Sequence, residues 1–205
     1  MYQLLRDPRL FDLLTCIDED LAQQARATGC RHCGGRLDSA DYPRKPRISL
    51  GLKPPYERRL SFCCARRDCR RRLTPPSVRF LGRKVYAGVA VLITSMLENH
   101  GSSADRRRCR EWLAVSRRTV ARWRRWWRRL FPQSSFWRSV CGWFQTPVET
   151  DQLPASLLAC FPGDDRSRLI AALRLLTPIT TSSCPGTVTL AEVRRFQLGV
   201  PAEHA

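Results

Sequence analysis

The sequence predicts a mainly α fold with one small β segment, and three observations carry that expectation. Cysteines, prolines and short alternating stretches crowd into residues 30–83, a pattern that suits strands and loops. The run 84–98 is apolar almost all round, as suits a helix at the centre of a bundle. "SRRTVARWRRWWRRLF" at 116–131 sets seven arginines and three tryptophans on one short helical segment, which Pro132 stops.

In chain order, residues 1–29 read as an N-terminal packing helix without chemistry of its own. Asp7 suits an N-cap and Pro8 the first helical position; Leu10, Leu13, Leu14, Ile17 and Leu21 follow at helical spacing, and Gly29 suits the end. After the β segment of 30–83, residues 84–145 form a helical bundle. "NHGSSA" at 99–104 is a turn, with Ser102 or Ser103 placed to cap a helix over roughly 105–113. "AVS" at 114–116 breaks that helix, the next spans 117–131, and residues 133–145 add aromatic packing surface. Residues 146–205 differ in composition and read as a helical and irregular C-terminal segment, with a helix near 166–176.

The chain of 205 residues carries a formal net charge of +18. Its pI near 10.7 points to nucleic acid or another anionic surface. Only Lys45, Lys53 and Lys84 among the 36 basic residues are lysines, a bias that genome composition can produce. The distribution is more telling: 30–84 is net +12 and 85–145 net +9, whereas 1–29 and 146–205 are net −2 and −1. No membrane span is expected, since the apolar run 85–97 falls short of the ~20 residues required. Acids interrupt any N-terminal apolar core, so no export signal is expected and a reducing cytoplasm follows. There, ten cysteines read as metal ligands and buried thiols, not disulfides.

"CRHC" at 30–33, followed by Gly34 and Gly35, has the form of a zinc knuckle: two thiolates grip one ion while the glycines let backbone amides turn towards sulfur. The second pair comes from "FCCARRDC". Cys64 and Cys69 enclose four residues, and Cys63 competes with Cys64 for the third position; spacing leaves both open. The expected ligands of a structural Zn²⁺ are thus Cys30, Cys33, Cys64 and Cys69, with His32 a poor fifth candidate. A set of core thiols, or a redox pair at 30–33, is the competing reading. No glutamate stands beside the cysteines as a zinc deaminase would need. Cys16, Cys109, Cys141, Cys160 and Cys184 are scattered and read as buried structural thiols.

"CREWLAVSRRTVARW" at 109–123 follows a helix-turn-helix pattern: Leu113 closes one helix, Val115 is buried in the turn, and Ser116 caps the next. At 100° per residue, Val120, Trp123, Trp127, Leu130 and Phe131 share the inward side, while Arg118, Ala121, Arg122, Arg125 and Arg129 face out. Such a helix enters the major groove. Arg118 and Arg122 are placed for guanine, with Arg117 beside them, and Arg125 and Arg129 for phosphates. Arg70, Arg71 and Arg72 complete the expected DNA-binding set. Ala114 stands where glycine is usual in the turn, and Arg110, where a small residue is usual, must snorkel out of the helix crossing.

Taken in order, "CRHCGG", "SFCCARRDCRRRLTPPS" and "LAVSRRTVARW" resemble the N-terminal DNA-binding region of bacterial insertion-sequence transposases. That family's second knuckle runs aromatic, basic, Cys-x-x-Cys, basic residues and a small polar turn. Phe62, Cys64, Cys69, Arg70 to Arg72 and "TPPS" take those places, with two extra residues between the cysteines. The likeness spans about 30–131. It implies a zinc ribbon, a helix-turn-helix bundle, double-stranded DNA as partner, a transposase or other mobile-element protein as a second partner, and a bacterial, nucleoid-associated setting. The family's catalytic domain, with three carboxylates holding two metals, needs on the order of 100 residues. Residues 146–205 offer no framework for one, so an accessory or regulator is expected rather than an enzyme. Two alternatives differ in class: an RNA or single-strand binder stacking bases on Trp112, Trp126 or Trp143, and a recombination nuclease with its site in the C-terminal segment, testable at Asp164 and Asp165, which no Ser, Tyr or paired-acid arrangement supports.

Overall fold

The computed structural model describes residues 1–44, 54–81 and 87–180. It is mainly helical with a small antiparallel sheet. After a short 3₁₀ turn (Tyr2–Arg6), Asp7 accepts the Arg9 N–H at 3.0 Å and starts α1 (Pro8–Ala27) with proline in its first turn. Leu10, Phe11, Leu14, Ile17 and Ala22 form its buried stripe. Leu13, expected on that stripe, is 37% exposed. Cys16 is also exposed, against the expectation of a buried thiol, because it lies on the far side of α1 from Leu14. Gly29, at φ 75°, turns the chain into the cysteine segment.

Short elements follow: β1 (Leu37–Ser39), β2 (Tyr42–Pro43), α2 (Pro54–Glu57), β3 (Arg58–Arg59), β4 (Phe62–Cys64) and β5 (Arg72–Leu73). The sheet runs β1-β4-β5, with Leu37 opposite Cys64 and Phe62 opposite Leu73, while β2 pairs with β3. Alternation along β4 turns Phe62 and Cys64 inward, where they meet Leu37, Leu73, Cys30 and Ala22. That core is small, too small to hold the segment together unaided.

The larger core is helical. α3 (Gly88–His100) is buried on every side from Gly88 to Ser95, as its sequence suggests, and its expected start at 84–86 lies outside the described residues. A Cβ on Gly88 would stand 2.9 Å from Leu173 Cδ2, which explains a glycine there. Ser102 caps α4 (Ser103–Trp112) by accepting the Asp105 N–H. Leu113 and Val115 are buried in the turn, Ala114 takes φ 50°, and Ser116 caps α5 (Arg117–Arg125) through the Thr119 N–H. Arg110 escapes the α3–α4 crossing by pairing with Glu98, Nη1 to Oε1 at 2.7 Å.

The helix expected over 117–131 is not uniform. α5 gives way to a π-turn over Trp126–Leu130, closed by the Phe131 N–H donating to Trp126 O at 2.8 Å. The wider turn makes side chains lag the α-helical phase by roughly 80° over five residues. Leu130, expected inward, is therefore 54% exposed, while Phe131 comes into line with Trp123 and Trp127. Trp126, Trp127, Phe131, Trp137 and Phe144 then pack ring against ring, with centroids 4.6 to 6.0 Å apart. α6 (Ser135–Val140) belongs to this cluster. α7 (Ala155–Ala159) and α8 (Asp165–Leu175) pack on each other, and α8 rests on α3. Leu153, Leu157, Phe161, Leu169 and Leu173 thus share one core with α3 and α5. Among the described residues no helix is long and apolar enough to cross a membrane.

Candidate functional site

Two hairpin-like turns bring four thiols to one point. In the first, the Cys30 carbonyl accepts the Cys33 and Gly34 N–H groups, and Gly34 takes φ 67°. In the second, the Arg66 carbonyl accepts the Cys69 and Arg70 N–H groups, and Arg70 takes φ 46° where the first turn has glycine. Pairing of β1 with β4 joins the turns, and the Ala65 N–H donates to Arg36 O at 2.9 Å beyond the strand ends.

The sulfurs of Cys30, Cys33, Cys64 and Cys69 all lie within 4.8 Å of one another, so the four can hold a metal ion. Cys30 and Cys69 are 3.7 Å apart, Cys33 and Cys64 3.5 Å. A tetrahedral ion with metal–sulfur bonds of about 2.3 Å requires sulfurs about 3.8 Å apart, and these distances fit it. Cys63 stands outside the group, its thiol turned to the Arg70 and Cys64 carbonyls. Alternation along β4 decides this: Cys64 faces inward with Phe62, and Cys63 faces away. His32 is exposed beside Arg71, 3.3 Å away, and is no part of the cluster.

Backbone amides point at the sulfurs with a repeated offset: His32 at Cys30, Arg66 at Cys64 and Arg71 at Cys69, each two residues on. The His32 amide leads in drawing the Cys30 thiol down to about 7, against the opposing effect of burial. Burial pushes the Cys64 thiol up to about 12. The Arg71 amide favours a thiolate at Cys69, but burial and the Cys33 and Cys30 thiols outweigh it and leave that thiol raised. Four thiols this close cannot all ionise without a cation among them. A Cβ on Gly35 would stand 3.2 Å from Cys64 Sγ and 2.9 Å from Arg66 Cδ, so the glycine keeps this approach open.

Arg70, Arg71 and Arg72 are exposed on the same segment, with Arg72 5.7 Å over the Tyr42 ring. On α5 and the π-turn, Arg117, Arg118, Arg122, Arg125 and Arg129 are exposed too, on the side opposite Val120, Trp123 and Trp127. Arg122 donates to Thr119 Oγ1 at 3.2 Å. Trp112, Trp126 and Trp143 are half-buried; Arg6 covers Trp112 at 5.5 Å, and Trp126 lies against Trp127 and Phe131. Asp164 caps α8 through the Ser167 N–H at 2.9 Å. Cys109 is buried, Cys141 and Cys160 are half-buried, and Cys184 lies outside the described residues.

Two features escaped the sequence reading. Arg124 and Arg128 join Ala121, Arg125 and Arg129 around one groove; their spacing at i+3, i+4, i+7 and i+8 from Ala121 was the available signal. Asp18 is buried and paired with Arg79; its helical phase with Leu14 and Ala22 was the available signal. Compared with known proteins, the chain matches no family model, and no curated protein or solved structure is significantly similar to it.

Proposed function

We propose that the chain is a zinc-stabilised DNA-binding protein, a transposase-related accessory or regulator that reads duplex DNA with the helix beginning at Arg117. The observation that carries this reading is the two-sidedness of that helix. Its tryptophans are spent on the core, while its arginines are exposed and, at Arg117, Arg118, Arg125 and Arg129, make no ion pair among the described residues. A serine-capped helix presented by a tight turn suits entry into a major groove, with Arg117, Arg118 and Arg122 nearest the bases. A bidentate arginine–guanine contact discriminates by about 1–3 kcal/mol. Arg70, Arg71 and Arg72 supply phosphate contacts from the cysteine segment.

The four thiolates suit Zn²⁺ in a closed, structural role, since all four tetrahedral positions come from protein. The ion joins the two turns and so replaces the core that this segment lacks. Base stacking on tryptophan, the basis of a single-strand function, has less support, because Trp112, Trp126 and Trp143 are each engaged in the fold.

Selection from a mixed pool of genomic duplexes, single strands and structured RNA at physiological salt tests the proposal. A duplex motif should be enriched, and Arg118→Ala with Arg122→Ala should abolish the preference. Enrichment of RNA or single strands instead would overturn the duplex reading.

A further inference from the structure

Arg124, Arg125, Arg128 and Arg129 line a groove of about 470 Å³ together with Ala121. Their spacing from Ala121, at i+3, i+4, i+7 and i+8, sets these four side chains on one face of the helix. Arg124 and Arg128, and Arg125 and Arg129, are each four residues apart and so form two columns along the helix beside Ala121, with the π-turn setting Arg128 and Arg129 further back in phase. Among the described residues no carboxylate lines the groove and none of the four makes an ion pair.

One of the four is held in place. Arg128 donates from Nη2 to Asn99 Oδ1 at 3.2 Å, and Asn99 is itself fixed by donating to the Leu153 carbonyl at 3.1 Å. Arg124 is half-buried, and its Nε–H is shut off from solvent with no hydrogen-bond partner among the described residues. From Ala121 to Arg129 the groove runs roughly 12 Å along the helix, at 1.5 Å per residue.

We propose that this groove grips successive phosphates of one nucleic-acid strand, as a clamp separate from the base-reading end of the helix. The inference rests on the nucleic-acid reading above and adds Arg124 and Arg128 to it in a defined role. Guanidinium forks suit phosphate oxygens, and Ala121 leaves room for the backbone to sink between the columns. Base identity has no part in the grip.

The test uses the full chain and the variant Arg124→Gln/Arg128→Gln. Affinity for a random-sequence duplex and a random single strand is measured against salt, and tripolyphosphate is titrated while arginine Nε–H signals are followed by NMR. Loss of two phosphate contacts should make the log–log salt slope on duplex shallower by roughly 2, with the same fold-loss on every sequence. Tripolyphosphate should move the Arg124 and Arg128 signals and leave exposed Arg138 unmoved. If the double variant does not fold, Arg125→Gln/Arg129→Gln, whose side chains are exposed, carries the same test. An unchanged slope together with an unchanged tripolyphosphate response overturns the clamp, even where Arg118-dependent sequence selection survives. A slope and response that depend on Arg124 and Arg128, in a protein that selects no duplex motif, uphold the clamp and sink the duplex reading alone.

Discussion

Arg79 Nε lies 2.7 Å from Asp18 Oδ2, and both side chains are closed to solvent. The pair ties α1 to the chain that leads into α3. Asp18 also accepts the Ser77 hydroxyl at 2.5 Å and the Val78 N–H at 2.7 Å, while Arg79 donates to the Tyr56 and Arg58 carbonyls. A second buried arginine, Arg59, donates to Pro75 O nearby, and burial lowers its pKa while Asp18 opposes that shift. Asp18 is thus the ion-pair partner of Arg79, and its charge also favours the Arg59 cation. Asp18→Ala strands Arg79, and urea unfolding should show a loss of about 3–5 kcal/mol. Asp18→Ala with Arg79→Ala should cost less than the two single changes combined. A loss under about 1 kcal/mol for Asp18→Ala would show the charge to be paired elsewhere.

The cysteine cluster makes a sharper prediction because two neighbours differ. Purified protein should hold one metal ion per chain. Cys64→Ser should abolish binding, whereas Cys63→Ser, whose thiol points away from the other four, should leave it intact. A colorimetric zinc release assay distinguishes them, and the opposite order would overturn the assignment. A strong chelator should unfold the β1-β4-β5 segment, since its core is Leu37, Phe62, Leu73 and little else. Gly35→Ala, which crowds Cys64 Sγ, should weaken metal affinity without removing a ligand.

These residues also show what a sequence discloses and what it withholds. The two cysteine pairs were legible from spacing, because a tetrahedral site imposes one. The choice between Cys63 and Cys64 was not, since it depends on which face of β4 is inward, and strand register is a tertiary fact. Capping by Asp7 and Ser116 was legible because it is local. Leu130 was misplaced because periodicity assumes 3.6 residues per turn, and one i+5 hydrogen bond breaks that assumption. The Asp18–Arg79 pair joins residues 61 apart, which no local pattern reports.

Ala114 sits at φ 50°, a conformation that costs an L-residue roughly 1–2 kcal/mol and glycine nothing. Ala114→Gly relieves that strain but adds freedom to the unfolded chain, a loss of roughly 0.4–1 kcal/mol. The net result should be a small rise in thermal midpoint. A fall would mean that the Ala114 methyl is held by contacts worth more than the strain. The same logic applies to Arg70, where glycine should be tolerated by the metal site but should weaken the proposed DNA binding by removing a charge.

Asp164 gives the C-terminal helix a pH dependence. Its carboxyl is held below the usual carboxylate range, chiefly by the hydrogen bonds from the Ser167 side chain and backbone that cap α8. A depressed folded pKa contributes stability that is present above the unfolded value of about 3.9 and is lost as pH falls through the folded one. Acid should therefore loosen α8 below about pH 4, and Asp164→Asn, which keeps a cap without the charge, should flatten that part of the profile. Amide exchange at Ser167 and Arg168, followed against pH, reads the effect directly. Identical profiles for the two proteins would assign the acid transition to other carboxylates.

Leu130 and Phe131 test the π-turn itself. A straight helix over 117–131 would bury Leu130, and its truncation would then cost about 2–5 kcal/mol. With the turn widened, Leu130 is exposed and Phe131 is buried among Trp126, Trp127 and Trp137. Leu130→Ala should accordingly change stability by no more than about 0.5 kcal/mol. Phe131→Ala should cost about 3–5 kcal/mol, because it empties the centre of the aromatic cluster. Urea midpoints for the two variants decide the matter. A large cost at Leu130 would restore the α-helical phase over residues 126–131.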